Sequence, residues 1–197
     1  MKDTGNFFAL EGVDGSGKTT LASQLMGFHV KCKEPTDSPF GRKIREMGYT
    51  DFKDKNEELG LFLADRKYHQ RKIVRYTEGG ANILVDRYIL STFAYQSTFD
   101  FDFLYEKNKE FKIPDITIFI DVDPNILRWR LIERGSHDFD KPLDELVALR
   151  KRYFEAMEYL RSRGWNFEVV DGEKPIEQVL QEVQSLVSKK LLILSEL

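Results

Sequence analysis

The chain is poor in the features that mark secreted, membrane and nucleic-acid-binding proteins. Cys32 is its one cysteine, so no internal disulfide can form, which fits a reducing compartment. A formal charge of −3 gives no positive field for binding a polyanion. No apolar run approaches the roughly 20 residues of a membrane-spanning helix, and the opening MKDTGNFF lacks the charged and apolar regions of a signal peptide. We therefore expect a cytoplasmic protein with no nucleic-acid or membrane partner.

The composition is that of a folded domain. The 197 residues are 41% hydrophobic and 32% charged, which argues against wholesale disorder. No internal repeat, low-complexity tract or linker divides the sequence. We expect residues 1–197 to form a single domain.

The strongest local signal lies in residues 7–25, FFALEGVDGSGKTTLASQL. Gly12, Gly17, Lys18 and Thr19 match the P-loop pattern G-x-x-x-x-G-K-S/T, with an apolar run before it and a helix-compatible stretch after it. Glycines allow successive backbone N–H groups to converge, and the following helix adds its positive end, so the loop can cradle phosphates. Lys18 would reach the β- and γ-phosphates and the Thr19 hydroxyl would hold Mg²⁺. The alternative, a flexible Gly/Ser loop, requires the flanking strand and helix signals to coincide by chance.

Apolar runs alternate with amphipathic stretches along the chain. Strands are predicted at residues 7–11, 30–33, 81–85, 115–122 and 165–170. Helices are predicted at residues 19–26, 40–47, 57–76, 91–96, 125–133, 143–163 and 175–194. This alternation predicts an α/β fold with a parallel sheet and right-handed crossovers.

Ligands of a parallel sheet bind beyond the carboxyl ends of its strands. Asp86 ends an apolar strand, where a carboxylate is costly unless it is paired or bound to metal. We expect it to hold Mg²⁺ directly or through water, with an N-cap as the alternative. Arg87 can bridge phosphates with two hydrogen bonds. Asp121 and Asp123 end another strand and either touch the water shell of the metal or cap the next helix.

Three residues suggest a second ligand beside the phosphate site. Asp14 puts a negative charge inside the P-loop, which makes sense if it accepts a hydrogen bond from a sugar hydroxyl; the alternative is an exposed loop carboxylate. Phe62 and Arg66 are four positions apart and share a helix face. An aromatic ring beside a guanidinium suits a nucleobase, although a phenylalanine at helical spacing is more often part of the core.

Taken together, these motifs resemble those of thymidylate kinases, from residue 7 to about residue 163. DRY followed by S-T-x-A-Y-Q is a far more specific feature than the P-loop. The resemblance is carried by EGVDGSGKTT at 11–20, EP at 34–35 followed by Ile44-Arg45, LFLADR at 61–66, DRY at 86–88, STFAYQ at 91–96 and PDITIFIDV at 114–122. It implies a P-loop NTPase-type five-stranded parallel sheet, flanked by helices on both faces, with a short lid at about residues 135–142. It also implies a homodimer that transfers a phosphoryl group from ATP to dTMP with Mg²⁺.

The resemblance assigns each candidate residue a role. The implied ATP-binding residues are Gly12, Val13, Asp14, Gly15, Ser16, Gly17, Lys18, Thr19, Thr20 and Arg134, the last against adenine. Thr19 and Asp86 would hold the metal. For dTMP, Phe62 would stack on thymine, Arg66 would hydrogen-bond a base carbonyl, and Ser91 or Thr92 would meet the rest of the base edge. Tyr95 would fill the space of a ribose 2′-hydroxyl, and Gln96 would line the same pocket. Arg45 and Arg87 would hold the phosphate, and Asp14 would approach the 3′-hydroxyl. The implied catalytic residues are Lys18, Arg87, Asp14, Arg130 and Lys141.

The sequence departs from the family pattern in its lid. A P-loop with Gly15-Ser16, and no basic residue there, predicts a basic lid, yet the common D-R-x-E segment is replaced by SHDFDKP at residues 136–142. Arg130 and Lys141 are the candidates for the cation that reaches the transferred phosphoryl group, with solvated helix-face charges as the alternative. A second departure, EPTDSPFG at residues 34–41 in place of a glycine pair, leaves the phosphate-side loop geometry open.

Two other functions remain open from the sequence. A deoxynucleoside kinase would need a carboxylate base near the sugar 5′-hydroxyl, and that family usually has Glu-Arg-Ser in place of Asp-Arg-Tyr. A non-catalytic relative would keep Lys18 and bind nucleotide without transfer. His29, His69 and His137 lack metal-ligand spacing and are interpreted as structural or surface residues.

Overall fold

A computed structural model describes residues 4–48, 52–133, 135 and 141–193. It contains an open, all-parallel sheet of five strands in the order β2-β3-β1-β4-β5. The strands are β1 (Phe7–Glu11), β2 (Val30–Lys33), β3 (Ile83–Asp86), β4 (Ile116–Asp121) and β5 (Phe167–Asp171). The helices are α1 (Lys18–Gln24), α2 (Pro39–Met47), α3 (Lys55–Glu78), α4 (Ile89–Tyr95), α5 (Phe101–Asn108), α6 (Pro124–Glu133), α7 (Leu143–Arg161) and α8 (Ile176–Ile193). The predicted α/β P-loop-type fold is confirmed. None of the described helices combines the length and apolar character needed to cross a bilayer.

The central strand explains the apolar run that precedes the P-loop. All five residues of β1 are buried, because β3 and β4 flank the strand and helices cover the sheet. In this register Leu10 pairs with Asp86, and Glu11 pairs with Phe119. The carboxyl end of β3 therefore lies directly beside the start of the P-loop.

The turn after β1 has positive φ at Gly15 and at both glycines of the motif, Gly12 and Gly17. Gly12 has φ 151°, and a Cβ there would lie 2.7 Å from the carbonyl oxygen of Ile120. Gly17 has φ 94° and precedes the first residue of α1. Residues that carry a side chain rarely adopt these backbone angles, so the path of the backbone itself requires the glycines of the motif.

The loop between β2 and α2 is held by a carboxylate from the LADR motif. Asp65 of α3 accepts hydrogen bonds from the Thr36 backbone N–H at 2.8 Å and from the Ser38 hydroxyl at 2.5 Å. Ser38 in turn caps α2 by accepting from the Gly41 N–H at 3.0 Å. The predicted helix after Glu34-Pro35 is confirmed, and Asp65 fixes the loop that precedes it.

The sequence prediction missed one helix and misplaced some boundaries. Helix α5 is capped by Asp100, whose Oδ1 accepts from the Phe103 N–H at 2.7 Å, and it was not predicted. Strand β3 begins at Ile83 and not at Ala81, because the Ala81 N–H donates to the Tyr76 carbonyl in the turn that ends α3.

Candidate active site

One open crevice lies at the carboxyl ends of β1, β2 and β3. It brings together the P-loop, the loop after β2 and the Asp-Arg pair after β3, as the strand-end rule predicts. Its lining residues are Asp14, Gly15, Gly17, Lys18, Thr19, Thr20, Lys33, Glu34, Pro35, Arg45, Asp86 and Arg87.

Thr19 and Asp86, the two residues predicted to hold a metal, lie in direct contact. The Thr19 hydroxyl donates to Asp86 Oδ2 at 2.8 Å. Asp86 Oδ1 is buried and has no hydrogen-bond partner among the described residues, which leaves a carboxylate oxygen available to a cation or its water. No cluster of three or more metal-ligating side chains occurs in the described part of the chain. Mg²⁺ bound through nucleotide phosphates needs only one or two protein oxygens, so these residues fit the ion.

Lys18 lies across its own loop. Its Nζ donates to the Val13 carbonyl at 2.8 Å and to the Ser16 hydroxyl at 3.3 Å, and only 5% of the residue is exposed. Burial, with the nearby charge of Arg87, lowers the pKa of Lys18 to about 7. An anion at the loop would restore the ordinary preference of this amine for its charged form.

Asp14 connects the P-loop with α4 and with Lys141. It forms an ion pair with Arg87, accepts a hydrogen bond from the Tyr95 hydroxyl at 2.8 Å, and lies 3.7 Å from Lys141 Nζ. Burial alone would raise the pKa of Asp14, but the charges of Arg87 and Lys18 hold it well below its usual range. The carboxylate is therefore ionised and accepts hydrogen bonds where the P-loop meets Arg87 and α4.

Arg87 adopts a backbone conformation that is uncommon for a side-chain-bearing residue. Its φ is 67°, and its N–H donates to the Leu10 carbonyl at 2.9 Å. The guanidinium also donates to the Ser91 hydroxyl at 3.1 Å. Positive φ in a non-glycine residue is frequent at functional sites, and here it orients the arginine toward the P-loop.

Glu11 was not among the predicted site residues. It is fully buried at the end of β1 and accepts from the backbone N–H groups of Tyr88 and Ser91, at 2.8 and 3.1 Å, and from the Ser91 hydroxyl at 2.5 Å. Burial raises the pKa of Glu11. The carboxylate ties the first turn of α4 to the central strand. The sequence could have revealed Glu11 in the same way as Asp86, because both are charged residues at the end of an apolar strand.

Arg45 of α2 points back to the loop after β2. It donates to the carbonyl groups of Pro35 and Thr36, both at 2.8 Å, and pairs with Asp37 at 2.8 Å. About a third of its side chain is exposed, and it lines the crevice. This arginine keeps access to an anion in the crevice while its own donors hold the loop in shape.

The chain matches the family model described as thymidylate kinase over residues 10–183. It is 37% identical to a probable thymidylate kinase of Archaeoglobus fulgidus, over 93% of this chain and 95% of that protein. It is 34% identical to the thymidylate kinase of Xylella fastidiosa strain 9a5c, over 93% and 90% of the two chains, and 33% identical to that of Carboxydothermus hydrogenoformans, over 93% and 97%. The chain belongs to the thymidylate kinase family. The predicted family and enzyme class, a phosphotransferase, are confirmed.

The residues matched to the thymine pocket of this kinase family lie beside the crevice and not in its lining. Phe62 of α3 is half-buried, and Arg66, one turn later, is enclosed. The Ser91 hydroxyl is occupied by Glu11, while Thr92 is buried on the same helix. Gln96 is also buried, with Oε1 lacking a hydrogen-bond partner among the described residues. Their roles toward a thymine base stay predictions.

The two candidate lid cations lie in different places. Lys141 Nζ is 5.6 Å from the Tyr95 ring centroid and 3.7 Å from Asp14, a residue that lines the crevice. Arg130 Nη2 donates to the Gly172 carbonyl at 3.0 Å, in the turn after β5. Of the two, Lys141 is the one that lies next to the P-loop. Arg134 and residues 136–140 of the predicted lid lie outside the described residues.

The strand-end carboxylates of β4 have structural partners. Asp121 forms a two-point ion pair with Arg150, with both distances 2.7 Å. Asp123 Oδ1 accepts from the Asn125 backbone N–H at 2.8 Å at the start of α6. Of the two alternatives for Asp123, capping is the one the structure shows.

Proposed function

We propose that the chain, as one domain, transfers the γ-phosphoryl group of ATP to dTMP and releases ADP and dTDP. The observation that carries this proposal is the contact of Asp14, inside the P-loop, with both Arg87 and Tyr95 of the DRY segment and α4. Donor and acceptor elements thus share one cluster of charges, as direct transfer between two bound nucleotides requires.

The donor site is the P-loop. Its backbone N–H groups and the amino end of α1 bind the ATP phosphates, and Lys18 exchanges its contact with the Val13 carbonyl for phosphate oxygens. Thr19 and Asp86 would hold Mg²⁺, and the ion would neutralise charge on the phosphates.

The acceptor site follows the family resemblance. Arg45 and Arg87 bind the dTMP phosphate, and Asp14 accepts the sugar 3′-hydroxyl. Tyr95, whose hydroxyl is held by Asp14, occupies the space of a ribose 2′-hydroxyl and favours deoxyribose. Thymine stacks on Phe62 and presents a carbonyl to Arg66. Ser91 or Thr92, together with Gln96, completes the pocket.

The reaction needs alignment and charge neutralisation and no covalent enzyme intermediate. A phosphate oxygen of dTMP forms a bond to the γ-phosphorus of ATP. The bond between this phosphorus and the oxygen that bridges the β- and γ-phosphates breaks, and its electron pair stays on ADP. Lys18, Arg87 and Lys141 surround this point with positive charge. Asp14 keeps two of those cations in place through its carboxylate.

The proposal is tested by coupled ADP release with dTMP, dUMP, dCMP, UMP, AMP and thymidine as acceptors. We expect dTMP to give the highest kcat/KM, and Lys18→Ala to abolish transfer. Phe62→Ala should mainly raise the KM for dTMP. Turnover of thymidine without dTMP would instead identify a deoxynucleoside kinase, and nucleotide binding without transfer to any acceptor would identify a non-catalytic relative.

We also propose a cytoplasmic homodimer, on the support of the family resemblance. Light scattering after size-exclusion chromatography tests the dimer, since a single species at the mass of one chain would contradict it.

A further inference from the structure

Arg66 is held by acceptors from two distant parts of the chain. Its Nε and Nη2 donate to Glu34 Oε2 at 3.0 and 2.8 Å, and its Nη1 donates to Asn108 Oδ1 at 2.7 Å. Only 2% of its side chain is exposed. A guanidinium has five N–H donors, so the described residues occupy three and leave one each on Nη1 and Nη2.

Glu34 is fixed on its other side by His69. His69 Nδ1 lies 3.0 Å from Glu34 Oε1, and both side chains are at most 5% exposed. Burial opposes the charged imidazole, but the neighbouring Cys32 thiol and the Glu34 carboxylate raise the pKa of His69 to about 9. At neutral pH the ring is protonated and donates to the carboxylate. Glu34 therefore cannot rotate away from Arg66 without leaving a buried charge unpaired.

The orientation of Asn108 is set by its own amide. Asn108 Nδ2 donates to the Leu104 carbonyl at 2.7 Å, one turn earlier in α5. The oxygen must then face Arg66, which makes Asn108 an acceptor there and not a donor. Asn108 is 1% exposed, so water does not substitute for it.

Two aromatic rings confine the guanidinium. Its central carbon lies 5.1 Å from the Tyr88 ring centroid and 5.8 Å from that of Phe111. Together with Glu34 and Asn108 they restrain the position and the direction of the donors that remain.

We propose that Glu34 and Asn108 are positioning residues that set the base specificity of the acceptor pocket through Arg66. This inference rests on the proposed dTMP kinase function. Held in this way, Arg66 presents only donors in a nearly closed space. A base that offers a carbonyl at this edge satisfies them, whereas the amino group of cytosine would face donors and leave them unpaired.

The test compares dTMP and dCMP as acceptors for the wild-type enzyme, Asn108→Ala, Asn108→Asp and Glu34→Gln. We expect Asn108→Ala to raise the KM for dTMP about tenfold, because the freed guanidinium loses its alignment. The KM for ATP and the kcat should stay within about twofold, and the preference for dTMP over dCMP should narrow. Asn108→Asp keeps an oxygen facing Arg66 but loses the donor to the Leu104 carbonyl, so it should recover only part of the dTMP affinity.

Glu34→Gln keeps the shape of the side chain but replaces one acceptor with a donor, so it cannot accept from both Arg66 and His69. We expect it to raise the KM for dTMP as Asn108→Ala does. Lys109→Ala, an exposed change at the end of the same helix as Asn108, is the matched control and should behave as wild type. An unchanged KM for dTMP in Asn108→Ala, or equal changes for ATP and dTMP, would overturn the inference.

A crystal structure of the wild-type enzyme with dTMP gives a readout that does not depend on variant folding. The inference requires a base oxygen at hydrogen-bond distance from Arg66 Nη1 or Nη2 while the contacts with Glu34 and Asn108 persist. Arg66 turned away from either partner in that complex would overturn it. Absence of dTMP turnover by the wild type would refute the proposed function itself, whereas dTMP turnover with an unconstrained Arg66 would refute only this inference.

Discussion

The Thr19 hydroxyl donates a hydrogen bond of 2.8 Å to Asp86 Oδ2 and so joins the first turn of α1 to the carboxyl end of β3. The register of the sheet produces this contact, because Leu10, just before the P-loop, pairs with Asp86. The second carboxylate oxygen, Oδ1, is buried without a hydrogen-bond partner among the described residues. A bound cation would satisfy it, which makes metal binding stabilising at this position.

Asp86→Asn should therefore weaken metal use more than nucleotide binding. The amide keeps the shape and can still accept from Thr19, but it lacks the negative charge that attracts Mg²⁺. We expect a loss of activity of about 10- to 100-fold and a higher Mg²⁺ concentration for half-maximal rate. Magnesium titrations of dTMP phosphorylation measure both. Asp121→Asn, a strand-end carboxylate that pairs with Arg150, is the control, and an equal shift in its Mg²⁺ requirement would contradict the assignment.

ATP binding should be accompanied by proton uptake at Lys18. Because burial and Arg87 lower its pKa to about 7, the amine is mostly neutral at pH 8 in the free enzyme. The phosphates of ATP favour the charged form, so binding draws in a proton and the affinity falls as the pH rises above 7. Calorimetry at pH 8 in two buffers with different ionisation enthalpies counts the protons. Lys18→Arg, which stays charged, should show none, and zero uptake by the wild type would contradict the prediction.

The sequence predicts those parts of the fold that are determined by residues close together in the chain. Strands β1 and β4 are apolar on both faces because they lie inside a parallel sheet, so their buried runs identify them directly. The P-loop was found because its glycines are required by the backbone path. Helix α5 was missed although Asp100 caps it, because its short, mixed sequence has weak helical periodicity.

The partners of site residues were less predictable than the residues themselves. The sequence marks Arg66 through the LADR motif, but its acceptors, Glu34 and Asn108, lie 32 and 42 positions away along the chain. Likewise, Glu11 holds Ser91 across 80 positions. Such pairings depend on how β1, the loop after β2, α3, α4 and α5 pack together, and no local pattern encodes them.

The stability of the protein should fall with rising pH through His69. Its pKa is about 9 in the folded chain and 6.5 as a reference value, so the native state binds more protons than the unfolded state between these values. The contribution, up to about 3 kcal/mol, is complete below pH 6.5 and is lost as the pH passes 9. Urea unfolding at pH 6.5, 8 and 9.5 measures this slope.

His69→Gln should be less stable than wild type at pH 6.5 and lose the part of the slope that comes from the imidazole. Cys32→Ser is the control. Burial would raise the pKa of Cys32, but His69 and Lys72 lower it, so the thiol adds a pH dependence of stability with the opposite sign. A free energy of unfolding that changes equally with pH in wild type and His69→Gln would rule out this histidine as the cause.

Lys141, and not Arg130, should assist phosphoryl transfer. Lys141 Nζ lies 3.7 Å from Asp14 Oδ2 at the crevice, whereas Arg130 donates to the Gly172 carbonyl beyond β5. Removing a cation near the transferred group costs about 100-fold or more in rate, since little else offsets the charge that develops there. We therefore expect Lys141→Ala to lower kcat by about this factor with a small change in the KM for ATP.

Arg130→Ala serves as the matched variant, with kcat expected within about threefold of wild type. Thermal melting of both variants checks that the fold is retained. Lys141→Arg keeps the positive charge and should recover part of the rate, which a loss of packing alone would not allow. Steady-state rates at saturating ATP and dTMP decide between the two cations, because a larger loss of kcat in Arg130→Ala than in Lys141→Ala would assign the role to Arg130.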